Sequence, residues 1–217
     1  VKSKEYNVAD PSLTYSLSTS LIGTDVFTGN LTRVIGNNVG TYTITQGNLS
    51  AGSNYEINFV GNTFEITPKE ISVTADASQN KVYGETNPTL TYTASEVLAT
   101  GNEFTGSLTR ANGEIVGTYA ITKGSLSAGS NYEINFVGNT FEITKANQTI
   151  TWTQTSELGC DERTTALLTA TSNSGLAVSY SSSNTNVATI SNNVAQFSNY
   201  GSTMITASQV GNDNYNA

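Results

Sequence analysis

The sequence predicts an all-β chain of three small antiparallel β-sandwiches in tandem, and three observations predict it. Side chains alternate apolar and polar with a period of two, as in Tyr55-Glu-Ile-Asn-Phe59, the pattern of strands with one buried face. A stretch of the sequence recurs at an offset of 77 residues, which marks one folding unit used twice. Composition agrees: 36 % of the 217 residues are hydrophobic and 12 % charged, against a usual ~45–50 % and ~25 %. Thr, Ser, Asn and Gly fill the difference, and these suit half-wet strands and tight turns rather than helices.

The first unit is placed at residues 1–68 and the second at 69–145. Gly40–Thr67 and Gly117–Thr144 agree at 25 of 28 positions. The offset of 77 holds upstream without a gap, pairing Tyr6 with Tyr83, Pro11 with Pro88, Leu13 with Leu90, Phe27 with Phe104 and Arg33 with Arg110. The second unit opens on the alternating run Ile71-Ser-Val-Thr-Ala75, for which the first has no counterpart. The first unit is therefore expected to lack its first strand and to carry an open sheet edge.

Within each copy Tyr42 and Ile44, then Tyr55, Ile57 and Phe59, then Phe64 and Ile66 define the apolar faces. Gly61-Asn62 has the chemistry of a two-residue hairpin turn. Closing it there would set Phe59 opposite Phe64 and Ile57 opposite Ile66, all on one face. The same register would pair Phe136 with Phe141 and Ile134 with Ile143. A β-grasp-like sheet is the alternative for both copies, because Ser50-Ala-Gly-Ser-Asn54 could hold a turn of helix. The joins Thr67-Pro-Lys-Glu70 and Thr144-Lys-Ala-Asn147 are short, which limits hinge freedom between units.

The third unit is placed at 146–217. Strands are expected at Gln148–Trp152, Ala166–Ala170, Leu176–Tyr180, Val187–Ile190, Val194–Phe197 and Thr203–Ala207, at the ~8–12-residue spacing of a small sandwich. Trp152, Leu168, Tyr180, Val187, Ile190 and Ile205 are its expected core. The unit is expected to stop one strand early.

The first two units resemble the MBG repeats of bacterial surface proteins, the type named for a Tyr-Gly-X motif. The carriers are Val82-Tyr-Gly-Glu85, Asn87-Pro-Thr-Leu-Thr-Tyr92, Phe104-Thr-Gly-Ser-Leu108, Val116-Gly-Thr-Tyr-Ala-Ile121 and Asn131-Tyr-Glu-Ile-Asn-Phe136. The first copy departs at Tyr6-Asn7, where glycine is absent, so its first turn is expected to differ. The third unit resembles a bacterial Ig-like domain through Leu176–Asn184, Val187–Ile190, Gly201–Ala207 and Gly211–Asn216. The resemblance implies an extracellular, surface-anchored or secreted protein with a role in cell adhesion, in which such units are spacers.

Several function classes are set aside on composition. Net charge is −8, which disfavours nucleic acid and anionic lipid as partners. The chain has no histidine, which removes histidine-based nucleophilic catalysis and the common zinc sites. Cys160 is the sole cysteine, so no internal disulfide can form. No apolar run reaches the ~20 residues of a membrane span.

Glu56, Glu65, Glu133 and Glu142 are the polar half of strand alternation rather than a catalytic carboxylate pair. Asp76, Glu85, Asn87, Asp161, Glu162, Asp213 and Asn214 gather near unit ends and are the candidate oxygen ligands for calcium, but no spaced EF-hand-type motif organises them. Turn chemistry explains such residues equally. The tyrosines Tyr42, Tyr55, Tyr119 and Tyr132 fall at inward positions and are expected in the core. No catalytic, cofactor-binding or metal-binding residue is assigned. The expectation is a monomeric, non-enzymatic spacer, with a module binding glycan or host surface protein as the alternative.

Overall fold

The computed structural model describes residues 2–154 and 164–217, and it is all-β with no helix among them. The chain packs as two compact units. One comprises residues 1–77, 90–110 and 120–139, and the other 78–89, 111–119 and 140–217. The boundary between them runs through the second copy of the repeat.

The first copy supplies β1 (Lys2–Glu5), β2 (Thr32–Arg33), β3 (Gly40–Thr45) and β4 (Thr63–Thr67), a four-stranded sheet in the order β1-β4-β3-β2. Strand β4 is one of its two inner strands. Phe64 and Ile66 are fully buried while Thr63 and Glu65 face outward, as period-two alternation requires. Its two edges are taken by β3, antiparallel with Tyr42 opposite Phe64, and by β1, parallel from Lys2–Phe64 to Glu5–Thr67.

The expected Phe59–Phe64 hairpin therefore does not form. Strand β4 has no free edge for residues 55–60, and Ile44 donates its N–H to the Asn62 carbonyl at 2.8 Å, which carries β3 past the Gly61-Asn62 corner. The sheets of both copies are accordingly mixed rather than wholly antiparallel. The turn after Tyr6 does not differ from its counterpart either. Asn7 takes φ +63° and Gly84 +85°, and each turn closes with one hydrogen bond, Val8 to Glu5 and Glu85 to Val82. Asparagine is among the few side-chain-bearing residues that enter this left-handed region readily.

The second copy supplies β5 (Lys69–Ala75), β6 (Gln79–Val82), β7 (Tyr92–Ala94), β8 (Thr109–Arg110), β9 (Gly117–Thr122), β10 (Tyr132–Val137) and β11 (Thr140–Thr144). Only Pro68 separates β4 from β5. Lacking an N–H, proline ends one ladder and lets the chain enter the next. Strand β5 lies between β10, parallel, and β7, antiparallel. Its inward residues Ile71, Val73 and Ala75 are buried.

The core of this unit crosses the repeat boundary: Tyr6, Leu31, Ile44, Leu49, Phe64 and Ile66 of the first copy share one cluster with Ile71, Ala128 and Tyr132 of the second.

In the other unit β6 runs parallel to β11, Gln79 opposite Phe141 through Val82 opposite Thr144, repeating the β1–β4 pairing. The remaining strands are β12 (Ile150–Thr151), β13 (Thr165–Leu167), β14 (Thr171–Ser172), β15 (Ser179–Ser182), β16 (Ala188–Ser191), β17 (Val194–Phe197) and β18 (Ile205–Ser208). They pair antiparallel as β12-β14, β13-β17-β16 and β15-β18. Leu168, Val178, Ala188 and Ala195 are buried here. Of the other expected core residues, Trp152, Tyr180, Val187, Ile190 and Ile205 are half-buried, because short strands in small sheets cover less of each large side chain. Trp152 and Tyr180 meet edge to face at 5.5 Å.

Candidate functional site

The strand glutamates Glu56, Glu65, Glu133 and Glu142 are all exposed. Glu65 stands between Ser3 and Thr41 in the ladder, so no second carboxylate faces it across the sheet. The loop acids bond to nearby backbone and side-chain donors. Asp76 accepts from the Thr93 hydroxyl at 2.8 Å, and Glu85 accepts the Val82 N–H at 3.2 Å. Asp213 is exposed, and Asn214 is engaged elsewhere as described below. Among the described residues no three His, Cys, Asp or Glu side chains gather closely enough to hold a metal. Asp161, Glu162 and Cys160 lie outside the described residues.

One charged cluster is well organised, and its two copies differ. Lys4 Nζ lies 2.6 Å from Asp10, which also accepts from Arg33 Nε at 2.7 Å and Nη2 at 3.1 Å. The Arg33 and Lys4 donors hold the Asp10 carboxyl down to about 2 from its ordinary 3.8. Arg33 also lies over the rings of Tyr42 and Phe64, 5.0 Å from each centroid.

In the second copy position 10 becomes Asn87, and Asn37 becomes Glu114. The buried Lys81 turns to Glu114 instead, and Asn87 donates to the same carboxylate. Both lysines keep a backbone acceptor, Val8 O for Lys4 and Glu85 O for Lys81. The carboxylate has changed place while the buried ammonium keeps its single counter-charge, which is the behaviour of a structural pair. Beside it, Asp10, Leu13, Leu31, Arg33 and Gly36 line an open groove of about 450 Å³ in the first copy.

Of the tyrosines expected inside, Tyr132 is buried and Tyr42, Tyr55 and Tyr119 are only half-buried, while Tyr6 is buried as well. Their hydroxyls are spoken for: Tyr42 donates to Asn38 O and Tyr119 to Ile115 O, both at 2.7 Å. Tyr55 donates to Asp25 at 2.8 Å and accepts the Ile22 N–H at 2.9 Å, while Tyr132 accepts the Ala99 N–H at 2.8 Å.

A second constellation recurs, and sequence reasoning missed it. Asn131 Oδ1 accepts the Val39 N–H at 2.9 Å, its backbone carbonyl accepts the Lys69 N–H at 3.0 Å, and the neighbouring Tyr132 ring meets Tyr6 edge to face at 5.4 Å. The other unit repeats each contact. Asn214 Oδ1 accepts the Val116 N–H at 3.1 Å, its carbonyl accepts the Ala146 N–H at 3.0 Å, and Tyr215 meets Tyr83 at 5.4 Å. Val116, Ala146 and Tyr83 lie 77 residues after Val39, Lys69 and Tyr6. An Asn-Tyr dipeptide thus reads the same three features of a repeat twice, from two different scaffolds. The signal available in the sequence was the recurrence of Asn-Tyr at 54–55, 131–132, 199–200 and 214–215, and the exposed Tyr200 shows that the dipeptide alone does not mark a junction.

Mixed sheets repeated at a fixed interval, joined through one residue and fastened by a recurring dipeptide, define a tandem all-β repeat protein. The chain belongs to the MBG domain family, YGX type, whose model matches residues 1–65 and 71–142. Residues 146–217 lie beyond the match. No curated protein and no solved structure gives a significant match to the chain.

Proposed function

We propose that the chain is a spacer segment of an extracellular bacterial repeat protein with a role in cell adhesion, that 1–68, 69–145 and 146–217 are its three domains, and that the last of these is Ig-like. MBG domains occur in surface repeat proteins, which supports the location. The observation that carries the spacer reading is the junction: the contacts of Asn131 with Val39 and Lys69 return at Asn214 with Val116 and Ala146. A join specified by hydrogen bonds as well as apolar contact is an ordered connection, which a spacer needs and a flexible tether does not. The Lys4–Asp10 and Lys81–Glu114 pairs support the same reading, because the change between copies preserves an ion pair rather than altering a ligand.

The test is to insert further 77-residue copies and measure the maximum dimension by small-angle scattering. A constant increment per copy is expected, and a dimension that grows as a flexible chain does would overturn the proposal. The groove beside Asp10 and Arg33 favours a second reading, a glycan- or protein-binding module. Reproducible, competable binding on a glycan array, lost on changing Arg33→Ala, would favour that reading over the spacer.

A further inference from the structure

The second copy brings a buried amine, a carboxamide and a carboxylate together, and the first copy does not. Lys81 is 5 % exposed. Its Nζ donates to the Glu85 carbonyl at 3.0 Å and to one oxygen of Glu114, and the Asn87 amide donates to the other oxygen of that carboxylate at 3.5 Å. A lysine amine is a nucleophile once a base takes its proton, and the carbon of a carboxamide is an electrophile.

The repeat itself shows that the two side chains reach one another. Lys81 and Asn87 match Lys4 and Asp10 at the offset of 77. Both pairs flank the same turn, closed by Val8 N–H on Glu5 O in one copy and by Glu85 N–H on Val82 O in the other. Lys4 Nζ lies 2.6 Å from Asp10 Oδ1, and asparagine has the shape of aspartate. The chemistry at the contact differs. Arg33 and Lys4 keep the Asp10 carboxyl ionised, and a carboxylate is a poor electrophile. Asn37 stands where the second copy has Glu114, so the proton carrier is missing from the first copy as well.

We propose that Lys81 and Asn87 are the site of a spontaneous intramolecular amide cross-link, with Glu114 carrying the protons. The bond from Lys81 Nζ to Asn87 Cγ forms, and the bond from Asn87 Cγ to Nδ2 breaks. Two of the three ammonium protons pass by way of Glu114 to the departing nitrogen. That nitrogen leaves as ammonium past the exposed face of Glu114. The product is a neutral secondary amide, and the step uses no oxidant and no co-reactant. The ion pair is the arrangement before reaction, and bond formation removes a buried charge that is costly to desolvate. The inference concerns chemistry inside one repeat and stands apart from the spacer reading, so a glycan-binding result would leave it untouched.

Tryptic mapping of the folded full chain, held at neutral pH, tests it. Cleavage after an unmodified Lys81 gives Glu70–Lys81 and Val82–Arg110. The cross-link blocks that cleavage and gives Glu70–Arg110 as one peptide, lighter than its sequence mass by one ammonia. Glu114→Gln should restore cleavage at Lys81. Asp10→Asn combined with Asn37→Glu places the same three groups around Lys4, and should yield Ser3–Arg33 uncut at Lys4 and lighter by one ammonia. Failure of both variants to behave so overturns the role given to Glu114. Release of Val82–Arg110 at its full sequence mass from the unaltered chain overturns the proposal. So does an ammonia loss confined to Ala111–Lys123, where cyclisation at Asn112-Gly113 would place it.

Discussion

The side-chain oxygen of Asn131 accepts the backbone N–H of Val39 at 2.9 Å, across 92 residues of chain. The same side chain donates to Asn38 and Asn102, each at 3.2 Å, and is 9 % exposed. Asn131→Ala strands a half-buried backbone donor and removes three bonds. It should destabilise by about 1–3 kcal/mol, the usual penalty for an unsatisfied buried group. Urea unfolding followed by tyrosine fluorescence measures this, and the equivalent Asn54→Ala should be nearly neutral in the same chain because Asn54 is exposed.

The exchanged carboxylates make a closed cycle. Asp10→Asn leaves Lys4 and Arg33 without their shared counter-ion and should lower stability. Adding Asn37→Glu recreates the arrangement that Lys81 has with Glu114, and should recover much of the loss. A double-mutant cycle reads the coupling, and additive effects would show that the two positions do not substitute for one another.

Acid stability follows from the same carboxylate. The folded-state value for Asp10, about 2, lies below its ordinary 3.8. Its contribution is therefore complete above the ordinary value and declines as pH falls through the range between the two. The midpoint of urea unfolding should drop over that interval, and the drop should be smaller in Asp10→Asn. Since Asp10 is substantially exposed, salt should weaken the effect.

Gly29 and Gly106 both adopt φ +75°, and a Cβ there would collide with the carbonyl oxygens of Asn48 and Ser125. Gly84 has φ +85° but open space around it, and Asn7 occupies the matching position. Gly106→Ala should thus destabilise clearly more than Gly84→Ala, whose penalty is the ~1 kcal/mol of left-handed strain alone. Thermal unfolding of the two variants side by side tests the order.

Ile71 is fully buried between the two copies' contributions to one cluster. Ile71→Ala should cost about 2–5 kcal/mol, and should speed hydrogen exchange in β10 as well as β5. Loss confined to β5 would mean that the parallel pair is not a cooperative unit.

The all-β fold and its inward faces were legible because period two is local: Phe64 and Ile66 are buried and Glu65 is not, as the alternation says. The partners were not legible. Phe59 and Phe64 lie five residues apart and look like a hairpin, but β4 draws one neighbour from β1, about sixty residues earlier in the chain, and β10 draws its own from β5 at a similar separation. Parallel pairing needs a long crossover and leaves no turn signature. The junction was hidden for a related reason. Asn131 and Asn214 look like turn residues, and only packing shows that each reaches a Val N–H more than ninety residues away.

The parallel pairing of β6 with β11 has a mechanical outcome. One strand lies near the entry to the second copy and the other near its exit, side by side and pointing the same way. Tension applied along the polypeptide pulls them in opposite directions along their length, so the ladder bears load in shear, with its bonds strained together instead of opening singly from one end.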